Sequence, residues 1–264
     1  MSNKNITIIL PVHTVEGDYK EMLKMALESV ENFHNDVKVK IVCPTDVKNK
    51  LNDFEFGQKL EVEVVCNTSK ETDFCSQVNL GISKCDTEWF SILEIDDQYR
   101  PVWLSLVNEY VKHNPDVDVF LPVVRDINTE GKFISFTNES TWAYGFSEKQ
   151  GFLDNEVLLD FQNYQTSGGL FRTNVIKENG NFKENIKLTF LYEFLLRLTH
   201  NGVKILTLPR IGYQHVNFRE DSLFWKYKNN EETKLSDDEV KFWLETAKKE
   251  FFFKNKRDVN YTTN

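Results

Sequence analysis

The sequence predicts an α/β protein: a doubly wound, mostly parallel sheet flanked by helices, with a C-terminal helical tail. Three observations predict it. Short β-branched runs alternate with segments of helical apolar spacing through residues 1–124, as in successive βαβ units. Those runs are bounded by turn and capping residues, and beyond Phe218 the composition turns charged before a capped amphipathic segment. The expected division is a domain at 1–220, made of one half at 1–124 and another at 125–220. A tail at 221–264 is expected to pack on it. A chain of 264 residues suffices for such a core.

The first strand is expected at Ile6 to Val12, nearly all apolar and so covered on both faces, with Pro11 ending it. Asp18 with Glu21 resembles a capping box, and Met22, Leu23, Ala26, Val30 and Phe33 keep helical spacing behind it. Val37 to Cys43 alternates with Lys38 and Lys40, which suits a strand nearer the sheet edge, and Pro44-Thr45-Asp46 breaks it. Val62 to Cys66 is a third strand, leading through the polar loop Asn67 to Asp73 to a helix at Val78 to Ser83. The fourth strand, Trp89 to Ile95, runs apolar into Glu94, Asp96 and Asp97. Pro101 opens a helix that Asn114-Pro115 closes, and a fifth strand follows at Val117 to Val123. After a polar and aromatic stretch from Arg125 to Tyr164 come a helix at about 190–200, capped by Asn201-Gly202, and a strand at Val203 to Leu208. Ser236 and Glu239 cap a final helix carrying Val240, Trp243, Leu244, Ala247 and Phe251 on one face.

Composition excludes several function classes. Hydrophobic residues at 40% and charged residues at 28% describe a globular chain, and 21 Phe against 11 Gly and 6 Pro imply a bulky core with few tight turns. A formal net charge of -9 argues against nucleic acid as a partner, because counterion release needs a concentrated basic surface. Phosphates would be handled locally, through a metal. Cys43, Cys66, Cys75 and Cys85 form no C-x-x-C pair and have no His at ligand spacing, so a reducing cytoplasmic location is expected. No apolar run approaches a membrane-spanning length.

Glu94, Asp96 and Asp97 carry the chemistry. Gathering three carboxylates costs electrostatic energy unless a cation or donors compensate, and oxygen-rich sites of this kind suit Mg²⁺ or Mn²⁺. The ends of parallel strands are also where ligands bind in open α/β sheets. The alternative is that Asp97 caps the following helix and the other two are solvated.

Several short motifs then fall in a telling order. They are Pro11-Val12-His13, Asn79-x-Gly81, Asp96-Asp97 followed by Pro101 and Leu104, and Ser167-Gly168-Gly169-Leu170-Phe171-Arg172. Later come Gly180 to Glu184, Glu193 to Leu198, Gly202 to Ile205, Pro209 and His215. Over Ile6 to His215 this order resembles the family 2 inverting glycosyltransferases with a GT-A fold. The resemblance implies a nucleoside-diphosphate sugar donor, a glycan or other hydroxyl acceptor, and Mn²⁺ or Mg²⁺, with 1–124 as the nucleotide-binding half and 125–220 as the acceptor-side half. It implies that Pro11, Val12, His13 and Asn79 belong to the donor site and that Asp96 touches ribose or metal. Asp97 would be the main metal ligand, His215 a further metal or diphosphate contact, and Arg219 a phosphate contact. A hydrogen-bonded histidine at a strand end is the alternative for His215.

Two places depart from the family pattern. The Asp expected after the second strand is replaced by Cys43-Pro44, with Asp46 as the substitute. The Glu-Asp pair expected to supply the general base is replaced by Phe190 and Leu191. Glu193, the nearest acid, is turned from the second of these places by roughly 200° on a helix. It is the first candidate base, with an ion pair to Arg197 as the alternative, and Glu139 is the reserve. Trp142, Tyr144 and Phe146 are candidate sugar-stacking residues. The expected function is an inverting, metal-dependent, hexosyltransferase-type glycosyltransferase. The competing reading is an inactive GT-A-like module that binds nucleotide or glycan. A sugar-nucleotide pyrophosphorylase and a dinucleotide enzyme are disfavoured, since the loop after the first strand is not Gly-rich and no G-x-G-x-x-G occurs.

Overall fold

The computed structural model describes residues 4–13, 15, 17–219 and 222–262. Residues 1–3, Thr14 and Glu16 of the loop after the first strand, residues 220–221, and the last two of the expected tail lie outside the described residues.

Strand β1 (Ile6–Pro11) is buried along its whole length, as its continuous apolar sequence requires. Helix α1 (Tyr19–Glu31) buries Leu23, Ala26, Leu27 and Val30, although Asp18 makes no side-chain cap bond. Strand β2 (Val37–Pro44) passes directly into helix α2 (Thr45–Leu51), so the expected break at Pro44 is also a helix start. Strand β3 (Val62–Asn67) leads to helix α3 (Phe74–Ser83), which begins four residues before the expected Val78. Asp73 caps it, its Oδ1 accepting the Ser76 N–H at 3.0 Å. Strand β4 (Trp89–Ile92) ends before the carboxylates, and short β5 (Gln98–Tyr99) and helix α4 (Trp103–His113) follow.

The second half opens with β6 (Val119–Ile127) and β7 (Phe133–Thr137), then a 3₁₀ turn at Ser140–Trp142. Next come β8 (Phe152–Leu153), α5 (Asn155–Asp160), β9 (Leu170–Arg172) and α6 (Thr173–Asn179). Helix α7 (Phe190–His200) precedes β10 (Ile205–Val216), which runs eight residues beyond the expected end at Leu208. Helices α8 (Leu223–Asn229) and α9 (Asp237–Glu250) close the described chain, and α9 starts with the full Ser236–Glu239 capping box.

The strands form one sheet in the order β3-β2-β1-β4-β9-β6-β10-β5, with β7 beside β6 and β8 beside β10. Most paired residues run parallel: β1 with β2 and β4, β2 with β3, and β6 with β10. The exception at the centre is β9, inserted antiparallel between β4 and β6. Alternate residues of β1 enter different cores, Ile8 and Leu10 one and Ile9 the other, so the sheet is covered on both faces. One face packs α1, α2 and α4 through Leu23, Val47 and Trp103. The other packs α3, α6, α7 and α9 through Val78, Ile176, Phe194 and Trp243. Gly81 lets α3 lie close on β1, because a Cβ there would stand 2.5 Å from Ile9 Cγ2. No helix among the described residues is long and apolar enough to cross a membrane.

Candidate active site

The cleft lies beyond the carboxyl ends of β1 and β4 and is also lined by the C-terminal end of β10. It encloses about 870 Å³ of empty space, part of it open to solvent. His13, Glu94, Asp96, His215 and Arg219 line it, together with Asp73, Phe74, Phe190 and Leu191.

β4 delivers Glu94, Asp96 and Asp97 at its end, and β10 brings His215 against them. Asp97 is fully buried. Its Oδ1 accepts the Val216 N–H at 2.9 Å, and His215 Nδ1 lies 3.0 Å from its Oδ2. Glu94 is half-buried: Ser167 Oγ donates to its Oε1 at 2.6 Å, and its own backbone N–H donates to the Tyr213 hydroxyl at 3.0 Å. Asp96, 10% exposed at its side chain, faces Arg219 Nε at 3.3 Å. Gly168, at φ +77, fits beneath the Tyr213 ring, where a Cβ would come within 2.4 Å.

Electrostatics follow from this crowding. Burial, and then the charge of Asp97, raise the Glu94 carboxyl; burial and then Glu94 raise Asp96. Burial also raises Asp97, against the lowering effect of His215. Burial alone would depress His215, but Asp97 at hydrogen-bond distance drives it up to about 10. Carboxylates held up in this way are a site short of positive charge. Glu94, Asp97 and His215 each offer a ligand atom, all within 4.8 Å of one another. Two carboxylate oxygens and one imidazole nitrogen suit Mn²⁺ or Mg²⁺, so the donor set fits the expected metal.

The expected site residues fall into two groups. His13, Asp96, His215 and Arg219 line the cleft, with Asp97 immediately behind them. Pro11 and Val12 are buried at the end of β1 leading to His13. Asp46 is exposed in the first turn of α2 and does not line the cleft. Asn79 is engaged elsewhere, its Oδ1 accepting from Phe182 N at 3.0 Å and its Nδ2 donating to Phe182 O at 2.9 Å. It ties α3 to the segment before α7.

Glu193 needs correction as a candidate base. It is fully buried beneath the cleft wall, 2.8 Å from Arg197 Nε and 2.9 Å from Lys183 Nζ, so an acceptor cannot reach it. The ion-pair alternative describes it. Glu139 is exposed and does not line the cleft. Tyr144 is fully exposed, Trp142 donates its Nε1–H to Thr207 O, and Phe146 packs edge-on against Phe161. The resemblance gives Glu94 no role and the sequence does not single out Asp73, Phe74 or Gln165, yet all four line the cleft. The signal for Asp73 was present, since an Asp three residues before Ser76 is an N-cap pattern. Reading the helix from Val78 hid it.

A doubly wound sheet whose acidic strand end faces a cleft, with a late strand supplying a histidine, defines a GT-A type fold. The chain belongs to glycosyl transferase family 2, whose family model matches residues 7–179. A comparison with curated proteins finds no match. Among solved structures, the fold is similar to S. aureus TarS 1–349 in complex with UDP-GlcNAc, with a TM-score of 0.61 and 14% identity over 87% of this chain and 63% of that one. It is also similar to TarS 1–349 in complex with UDP, with a TM-score of 0.59 and 14% identity over 94% and 72%. The chain spans 60% of TarS 1–349 in a further structure, at a TM-score of 0.58.

Proposed function

We propose that this protein transfers a hexose-type sugar from a nucleoside diphosphate to a hydroxyl acceptor, with inversion and with the help of Mn²⁺ or Mg²⁺. The observation that carries the reading is the acidic cluster at the end of β4, with raised carboxyls, set against His215 and Arg219 in the cleft of a family 2 chain. UDP and UDP-GlcNAc bound to structures of similar fold support a uridine nucleotide as the first donor to try. Four unpaired cysteines support a reducing, cytoplasmic setting.

In this reading Glu94, Asp97 and His215 would hold the metal, which would supply positive charge against the leaving diphosphate. Asp96 is left for the ribose or the metal. Arg219, now beside Asp96, turns its guanidinium to the phosphates when the donor binds. His13 lines the nucleotide end. The fixed frame of Ser167, Tyr213 and the Val216 N–H holds the carboxylates in place before the donor arrives, so little reorganisation is needed as charge develops on the leaving group.

The competing reading, a nucleotide-binding module without turnover, is favoured by one observation: Phe190 and Leu191 line the cleft where the family carries its acidic pair. The separating experiment is donor consumption. UDP-hexoses with Mn²⁺ should be hydrolysed or transferred, with the activity abolished by chelation and lowered at least about 100-fold in Asp97→Ala. Tight UDP binding by calorimetry, with no turnover of any donor, would establish the module instead.

A further inference from the structure

An inverting transfer needs a group that takes the acceptor proton, and the expected sources are gone: Phe190 and Leu191 replace the acidic pair, Glu193 is sealed in a buried ion cluster, and Glu139 does not line the cleft. Three carboxylates line the cleft, namely Asp73, Glu94 and Asp96. Glu94 and Asp96 belong to the group with Asp97, His215 and Arg219, on the side assigned to metal and diphosphate. In an inverting displacement the nucleophile enters on the face opposite the leaving group, so its base lies away from that group. Asp73 is carried by a different element, as the N-cap of α3.

A second cavity, with about 540 Å³ of empty space, adjoins the cleft. Asp73, Phe74 and Phe190 line both, so the two cavities meet along these three residues. The Phe74 and Phe190 rings stand 5.6 Å apart, and Glu184, Lys187 and Tyr227 add polar groups beyond them. An aromatic wall with a polar rim fits a polyhydroxylated ring, whose apolar face lies on phenyl groups while its hydroxyls reach the rim. Asp73 is exposed at the junction. Its Oδ1 is fixed by the Ser76 N–H, and its Oδ2 accepts no hydrogen bond from the described residues.

We propose that the second cavity is the acceptor groove for a glycan and that Asp73, at its meeting with the donor cleft, is the general base. This rests on the transferase reading above. The acceptor oxygen bonds to the anomeric carbon as the bond from that carbon to the diphosphate oxygen breaks. The bonding pair leaves with the diphosphate, and the hydroxyl proton passes to Asp73 Oδ2 and then to water.

The test is Asp73→Asn, chosen because Asn caps a helix as well as Asp does, so α3 stays intact. Donor consumption is followed with a panel of UDP- and GDP-hexoses and Mn²⁺, and UDP binding is measured by calorimetry. The expected result is a loss of about 10²–10⁴-fold in turnover with UDP affinity unchanged. Azide, a nucleophile that carries no proton, should restore donor consumption in the variant and yield the glycosyl azide. Turnover within about threefold of wild type, or loss of UDP binding in parallel with turnover, would overturn the assignment of Asp73. A wild-type protein that binds UDP and consumes no donor would instead remove the transferase reading, and this proposal with it.

Discussion

Lys183, Glu193 and Arg197 are essentially removed from solvent, and none would be tolerated there alone. Burial depresses the Lys183 ammonium, which Glu193 works to keep charged. Arg197 also donates to the carbonyls of Asn179, Gly180 and Asn181, so the cluster pins the segment before α7. Glu193→Gln leaves two buried cations short of their counter-charge and should cost about 3–5 kcal/mol, read from urea unfolding. At matched folded fraction, donor consumption should be unchanged, which separates this role from a catalytic one. The Glu193–Arg197 pairing was legible as an i,i+4 spacing, as was the acidic run at Asp96-Asp97. Lys183 and Glu250 were not: their partnership depends on how α9 folds back, and sequence spacing carries no trace of that.

At the scale of elements, Gly168 and Ser236 make contrasting tests. Gly168→Ala places a methyl in the Tyr213 ring from a left-handed backbone position. It should cost about 2–4 kcal/mol in thermal or chemical unfolding and weaken metal-dependent UDP binding, because Tyr213 accepts from the Glu94 backbone. Ser236→Ala removes one half of the α9 capping box and should cost about 1 kcal/mol with no effect on the cleft. The α9 cap was fully legible because both halves of a capping box are local. Helix α2 escaped notice because Pro44 serves equally to end a strand and to precede a helix. Strand β9 has three residues, too few for any periodicity to register, and it forms because β4 and β6 offer edges on both sides. Helix α7 was placed correctly, with Asn201-Gly202 marking its end. What its first turn presents to the cleft could not be known until β10 and α3 were set around it.

Across the whole molecule, α9 and the residues after it hold the second face of the sheet through Trp243, Ala247 and Phe251. Glu250 clamps that junction: burial would raise its carboxyl, but the Arg257 guanidinium bonded to it more than offsets this and holds it below its ordinary value. A carboxyl lowered by folding contributes stability that is fully present above its unfolded value near 4.5 and is lost as the pH falls through the folded one. The stability difference between wild type and Glu250→Gln should therefore shrink as pH falls below about 4.5, read from urea unfolding of both across that range. The double-wound layout was legible in the alternation of the first half. The crossing of β10 onto the site was not, since its outer half reads as polar loop. The antiparallel insertion of β9 also has a consequence in time. Residues 170–172 occupy the middle of a sheet whose neighbours, β4 and β6, are synthesised some 40 to 80 residues earlier. A nascent or truncated chain ending before residue 170 carries two bare strand edges at its centre, an invitation to association with other chains. Completion of the sheet therefore waits on a late, long-range closure, and folding is expected to be slow for the chain's helix content.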